Sequence, residues 1–201
     1  KHAVSFFRAQ LNNTTSDEQE AVHYGYALAL GKTEQLGTAR TELEKLIDHH
    51  PDQISYIVAM AQLEIAEGHT DTGLRRFSKA LQIYPNNRPL TLYYSKALID
   101  AGDGQHARQL LAPLLRSADA KPTEYQLMAR AQELSGRISA AHEALAEYYF
   151  QIGDTRSAIE QLGFALDSLA PDDRTRKARI NARLAQLKHE ALLETQAKED
   201  K

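Results

Sequence analysis

A step of 34 residues, kept along most of the chain, leaves this sequence very few folds to adopt. Small residues stand at Ala39, Gly73, Ala107 and Ala141, each 34 positions after the last. A second series, Ala27, Ala61, Ser95 and Ala129, keeps the same step, as do Gly68, Gly102 and Gly136, and Pro51 and Pro85. The chemistry of each column says what it does. Two antiparallel helices joined by a short turn cross closely only where both present small side chains. Glycine in the turn can take a positive φ, and proline after the second helix prevents its continuation.

Each unit therefore reads helix, turn, helix, stop. These signals predict paired helices over 18–31 with 36–49, 54–67 with 70–83, 88–101 with 104–116, and 123–135 with 138–151. After Ala141 the step changes. The next turn glycine and small residue are Gly153 and Ala158, and 158 − 141 is 17, half a repeat. The segment SAAHEALAEYYFQ then serves twice, closing a fourth unit and opening a fifth whose second helix is TRSAIEQLGFALDSL, ending at Pro171. From Asp172 to about Glu194 one helical face carries Ile180, Leu184, Leu187 and Ala191, the pattern of a capping helix over the last repeat. KHAVSFFRAQL is expected to cap the other end, joined by the polar link NNTTSDEQ. The organisation expected is an N-terminal helix and linker (1–17), a repeat array (18–171), and a C-terminal capping helix with a polar tail (172–201).

Composition agrees with an all-α reading. The chain has 201 residues, 42% of them hydrophobic and only 7% aromatic, with no Trp, as suits helices packed through small side chains. A formal charge of −3 gives no broad basic footprint for nucleic acid. The absence of Cys excludes disulfides, thiol nucleophiles and thiolate metal sites, and leaves the compartment open. No apolar run approaches the roughly 18 residues of a membrane span. The opening KHAVSFFRAQ has neither a signal core nor a starting Met, so the sequence reads as an excised fragment with any targeting segment upstream.

Small residues at a 34-residue step, with a turn Gly and a closing Pro, resemble the tetratricopeptide repeat across about residues 20–171. The resemblance implies an all-α helical solenoid of four to five repeats with terminal capping helices. A narrower resemblance rests on HYGYALAL, AHEALAEYYFQIGDTRSAIEQLGFAL and KARINARLAQLK. These strings are similar to the C-terminal repeat domain of the periplasmic zinc metallopeptidases related to the β-barrel assembly-enhancing protease of Gram-negative bacteria. That resemblance implies a non-catalytic domain attached to an upstream HExxH domain that carries the zinc. Its implied partners are that protease domain, the outer-membrane barrel assembly components and their clients. A free-standing repeat adaptor with no protease attached is the alternative.

No catalytic, cofactor or metal site is expected within these residues. HExxH needs two His one helical turn apart with Glu as general base. Here His142-Glu143 is followed by Ala146 where the second His should stand, and His189-Glu190 by Leu193. His49-His50 point about 100° apart on a helix and suit a helix end better than a shared ion.

In a tetratricopeptide array the first helix of each pair lines the concave surface. Carried onto this chain, that places Tyr24, Leu28, Gln62, Lys96, Arg130, Glu133, Glu143 and Glu147 along a candidate binding face, whose mixed charge also fits an ordinary solvated surface. Tyr93-Tyr94 and Tyr148-Tyr149-Phe150 are candidate peptide anchors, half of each group being expected in the core. The positions that clamp a chaperone's C-terminal carboxylate in some such proteins hold Tyr24, Leu28, Ala59, Pro89 and Tyr93, which disfavours that ligand. Arg176, Arg179 and Arg183, at helical spacing, either meet an acidic partner or the protease domain, or form a solvated face.

Overall fold

The computed structural model describes residues 2–11 and 16–199. Asn12 to Thr15 of the expected linker lie outside the described residues. The rest of it, SDEQ, is the first turn of a helix rather than a link, having no Gly or Pro to prevent one.

Among the described residues the structure is helical throughout. In order it holds α1 (His2–Leu11), α2 (Ser16–Gly31), α3 (Leu36–His49), α4 (Ile54–Ala66), α5 (Thr70–Ile83), α6 (Arg88–Asp100), α7 (Gly104–Leu115), α8 (Pro122–Leu134), α9 (Ile138–Gln151), α10 (Thr155–Asp167) and α11 (Arg174–Glu199). The chain divides into two compact units, 1–97 and 98–201, with the boundary inside α6.

The small-residue columns lie where close packing demands them. Ala27, Ala61 and Ala39 are buried in the first unit, and Ala107, Ala129, Ala141 and Ala158 in the second. Gly73 shows the constraint most directly. A Cβ there would come within 2.5 Å of the Ala61 carbonyl oxygen, so α5 can lie against α4 only with no side chain at this point.

The turns use one recurring device. Gly68, Gly102, Gly136 and Gly153 have φ of 86°, 85°, 69° and 82°. In each turn the next N–H reaches back five residues, as in His69 to Glu64 (2.8 Å), Asp103 to Leu98 (2.8 Å), Arg137 to Gln132 (2.9 Å) and Asp154 to Tyr149 (2.9 Å). These bonds satisfy carbonyls that the helix end would otherwise leave unpaired. In the first turn Glu34 takes the glycine position, at φ 61°, and the Gln35 N–H reaches the Leu30 carbonyl at 3.1 Å.

In the first unit Val4 and Phe7 of α1 pack on the cluster built by Ala27, Leu30, Leu43 and Met60, so α1 covers that end of the core. A second cluster joins Val58, Phe77 and Leu90, with Tyr94 stacked on Phe77 at 5.8 Å between ring centroids. The buried Glu64 of α4 is matched by Arg76 of α5 through two bonds of 2.6 and 2.9 Å, which prevents an uncompensated buried charge.

In the second unit α9 packs against both α8 and α10, as expected of a helix shared by two repeats. Ile180 and Leu187 of α11 are buried beside Leu162 and Ala165, with Leu184 partly buried between them. The same helix makes a polar clamp that its sequence did not suggest. Arg176 Nε and Arg179 Nη2 donate to Glu143 at 2.5 and 2.7 Å, and Arg183 forms two bonds to Glu147 at 2.8 and 2.7 Å. The Arg183 guanidinium also lies 4.5 Å from the centre of the Phe150 ring. The three arginines thus hold α11 to α9. Arg176 and Arg183 are largely covered by this contact, whereas Arg179 stays exposed on the solvated side of α11.

Candidate protein-binding groove

Two of the expected face residues, Leu28 and Gln62, line one groove. It runs between α2 and α4 in the first unit, with a volume of about 220 Å³. Small side chains create the gap. Ala27 and Gly31 on α2 and Ala59 and Ala66 on α4 have nothing beyond Cβ to fill the space between the two first helices. The side chains of Leu36 and Leu43 on α3 therefore show at the floor. Leu28, 39% exposed, and the exposed Gln62 stand at the edges, one on each helix. They occupy equivalent positions in successive repeats, 62 − 28 being 34. Lys32, one turn after Leu28, supplies a cation among the lining residues.

Tyr24 lies one turn before Leu28 and is half-buried. Its ring packs on Tyr56 at 5.2 Å and its hydroxyl donates to the Ser55 carbonyl at 3.3 Å. Burial raises its pKa above the ordinary tyrosine value, with the neighbouring Tyr93 and Tyr56 adding to the effect, so it stays a neutral donor. Tyr24 therefore braces α2 against α4 rather than lining the groove. Lys96 is exposed on α6 and also lies outside it.

The face residues of the second unit have other settings. Arg130 is exposed and stands 3.5 Å from Asp100, and Glu133 is exposed near the end of α8. Glu143 and Glu147 are partly buried and bonded to α11, so neither carboxylate is open to a ligand as the face expected from sequence required. The nearby Tyr125 has its pKa raised by burial first and by the Glu147 carboxylate second. Of the aromatic groups, Tyr94, Tyr149 and Phe150 pack against core clusters, whereas Tyr93 is 45% exposed. His49 Nδ1 lies 2.7 Å from the Lys45 carbonyl and His50 Nε2 lies 2.6 Å from Glu20, so the two rings serve different partners at the end of α3.

The groove offers an apolar floor, an amide at its edge and one ammonium. Such a surface has the shape and chemistry to seat an apolar side chain presented on a polar backbone, and its lining brings together no nucleophile, acid and base. No helix among the described residues is long and apolar enough to cross a membrane.

Residues 64–132 match the family model of the tetratricopeptide repeat. The fold is similar to that of a tetratricopeptide repeat protein from Parabacteroides merdae, with a TM-score of 0.54 and 15% identity over 84% of this chain and 73% of that one. It is similar to a double mutant of MamA RS-1, with a TM-score of 0.59 and 14% identity over 86% of this chain and 96% of that one. Yeast Tom70 matches with a TM-score of 0.55 and 16% identity over 94% of this chain, which spans 43% of Tom70. At these identities the likeness concerns the fold alone. The fold class is an all-helical tetratricopeptide-repeat solenoid, an architecture that serves as a protein-interaction scaffold.

Proposed function

We propose that this chain recruits protein partners by seating an apolar side chain of the partner between α2 and α4, and that it does so as the non-catalytic domain of a periplasmic zinc metallopeptidase of outer-membrane protein assembly and quality control. The observation that carries the binding role is the open apolar groove with Leu28 and Gln62 at its edges. The attachment to a peptidase rests on the strings HYGYALAL, AHEALAEYYFQIGDTRSAIEQLGFAL and KARINARLAQLK. On this reading the zinc belongs to the upstream catalytic domain. Among the described residues no three His, Asp or Glu side chains converge to hold an ion.

The test uses a photo-crosslinking amino acid at Leu28 or Gln62, one at a time, with the exposed Glu160 as a control position. The chain is produced with its upstream segment, mixed with extracted outer-membrane assembly proteins, and scored for crosslinks and for cleavage with and without zinc. Crosslinks from Leu28 and Gln62 to those proteins, with zinc-dependent cleavage, are the expected result. Crosslinks to other proteins without cleavage would mean a free-standing adaptor. Equal labelling from Glu160 would remove the groove from the reading.

A further inference from the structure

The first unit carries a second groove that shares no lining residue with the first. It lies between the end of α3, the start of α4 and one face of α5, with a volume of about 280 Å³. On α5 it is lined by Thr72, Arg75, Arg76, Lys79, Ala80 and Ile83, a run of three- and four-residue steps that forms a single helical stripe. Ile47, Pro51 and Ile57 close the other side.

Three observations point to what this groove holds. Its size falls just below the roughly 300–1,000 Å³ of pockets that enclose a drug-sized ligand, so it suits one or two apolar side chains rather than a whole small molecule. Ile83, at 66% exposure the most exposed large apolar side chain among the described residues, stands among the lining residues. The stripe is also positively charged in a chain whose formal charge is −3. Arg76 is neutralised by Glu64, but the exposed Arg75 bonds only to the Thr72 hydroxyl, at 3.0 Å, and the exposed Lys79 has no carboxylate within ion-pair distance among the described residues. Two open cations one helical turn apart beside an apolar cleft call for carboxylates on both sides of an apolar residue.

We propose that this α5 groove is a second docking site, separate from the one between α2 and α4, for an acidic segment of a partner protein that inserts a bulky apolar side chain between flanking Asp or Glu residues. The apolar residue covers Ile47, Ile57 and Ile83 while the carboxylates meet Arg75 and Lys79. Because these pairs lie at the surface, the site is sensitive to salt.

The test is fluorescence anisotropy with a labelled peptide of sequence GEDELFEDEG, a lysine-flanked control GKKKLFKKKG and an apolar-deleted control GEDEAAEDEG, each titrated with the whole chain. The acidic apolar peptide should bind, and both controls at least tenfold more weakly. Arg75→Glu/Lys79→Glu and Ile83→Ser should each weaken binding of the first peptide at least tenfold with the melting temperature unchanged, these positions being exposed. Leu28→Lys, in the other groove, should leave it within twofold. Affinity should fall between 50 and 300 mM salt. Absent binding, equal binding of the lysine-flanked peptide, or equal binding by Arg75→Glu/Lys79→Glu would overturn the proposal. So would self-association of the wild-type chain that Arg75→Glu/Lys79→Glu abolishes, because the groove would then hold a second copy.

Discussion

Glu34 occupies a position that the repeat reserves for glycine. Its φ of 61° matches those of Gly68, Gly102 and Gly136, and it stands 34 residues before Gly68. A side chain in the left-handed region suffers a Cβ clash that glycine avoids, costing roughly 1–2 kcal/mol, while glycine adds conformational freedom to the unfolded chain and so returns part of that gain. The Glu34 side chain is exposed and makes no hydrogen bond or ion pair among the described residues. Glu34→Gly should therefore stabilise the protein by about 0.5–1 kcal/mol in urea denaturation, and Gly102→Ala or Gly136→Ala should destabilise it by a similar amount. A loss of stability in Glu34→Gly would mean that the turn is held by something other than its dihedral angles. The 34-residue step leads from Gly68 back to Glu34, but only the backbone conformation reveals what Glu34 has in common with the glycines. Leu28 and Gln62 were more legible, since equivalent positions on first helices share a face whatever their chemistry.

At the scale of the helix, the small-residue columns translate into energy through contact distance. Ala61 and Ala129 are almost wholly inaccessible, so a larger side chain at either has no free volume to enter. Ala61→Leu and Ala129→Leu should each destabilise the array by about 1–3 kcal/mol, read as a lower melting temperature. An unchanged melting temperature would contradict the register of the helix pairs. The helices themselves were legible because propensity, turn glycines and closing prolines all point the same way, and most boundaries fall within two residues of those expected. The α11 clamp was not. Its ion pairs join Arg176 to Glu143 and Arg183 to Glu147, 33 and 36 residues apart, and neither spacing belongs to the 34-residue step. An arginine stripe on a helix looks the same in sequence whether it faces water or a neighbouring carboxylate, and only the packing of Ile180 and Leu187 turns it toward α9. The grooves were illegible for a related reason. The sequence shows that small residues let helices approach, but where such residues leave a gap depends on which side of the helix the neighbour lies.

For the whole molecule, the distribution of perturbed carboxylates sets the response to acid. Glu42 and Glu67 in the first unit and Asp103 and Asp154 in the second all have pKa values below their ordinary 4.5 and 3.8. The causes differ. Burial opposes ionisation of Glu42 and is outweighed by bonds from Lys45 and His23, whereas a bond from Arg40 dominates at Glu67. At Asp103 the His106 ring is the main cause, and at Asp154 it is the Ser157 backbone N–H, both carboxylates acting as helix N-caps. A carboxyl group with a lower pKa in the folded state contributes stability that is fully present above its unfolded pKa and is lost as pH falls through the folded value. Melting temperature should thus hold steady from neutral pH to about pH 5 and then fall progressively toward pH 2, in both units. Asparagine caps a helix as well as aspartate does but cannot ionise, so Asp103→Asn/Asp154→Asn should keep most of the stability at pH 7 and show a smaller acid loss. High salt should also reduce the Asp103 part of that loss, since Asp103 and the His106 ring lie near the surface. Thermal melts of the wild type and the double variant from pH 7 to pH 2, at low and high salt, test both points. If the two proteins lost stability in parallel through the acid range, the capping carboxylates would have no part in the response and the acid sensitivity would have to come from carboxylates elsewhere, Glu42 and Glu67 among them.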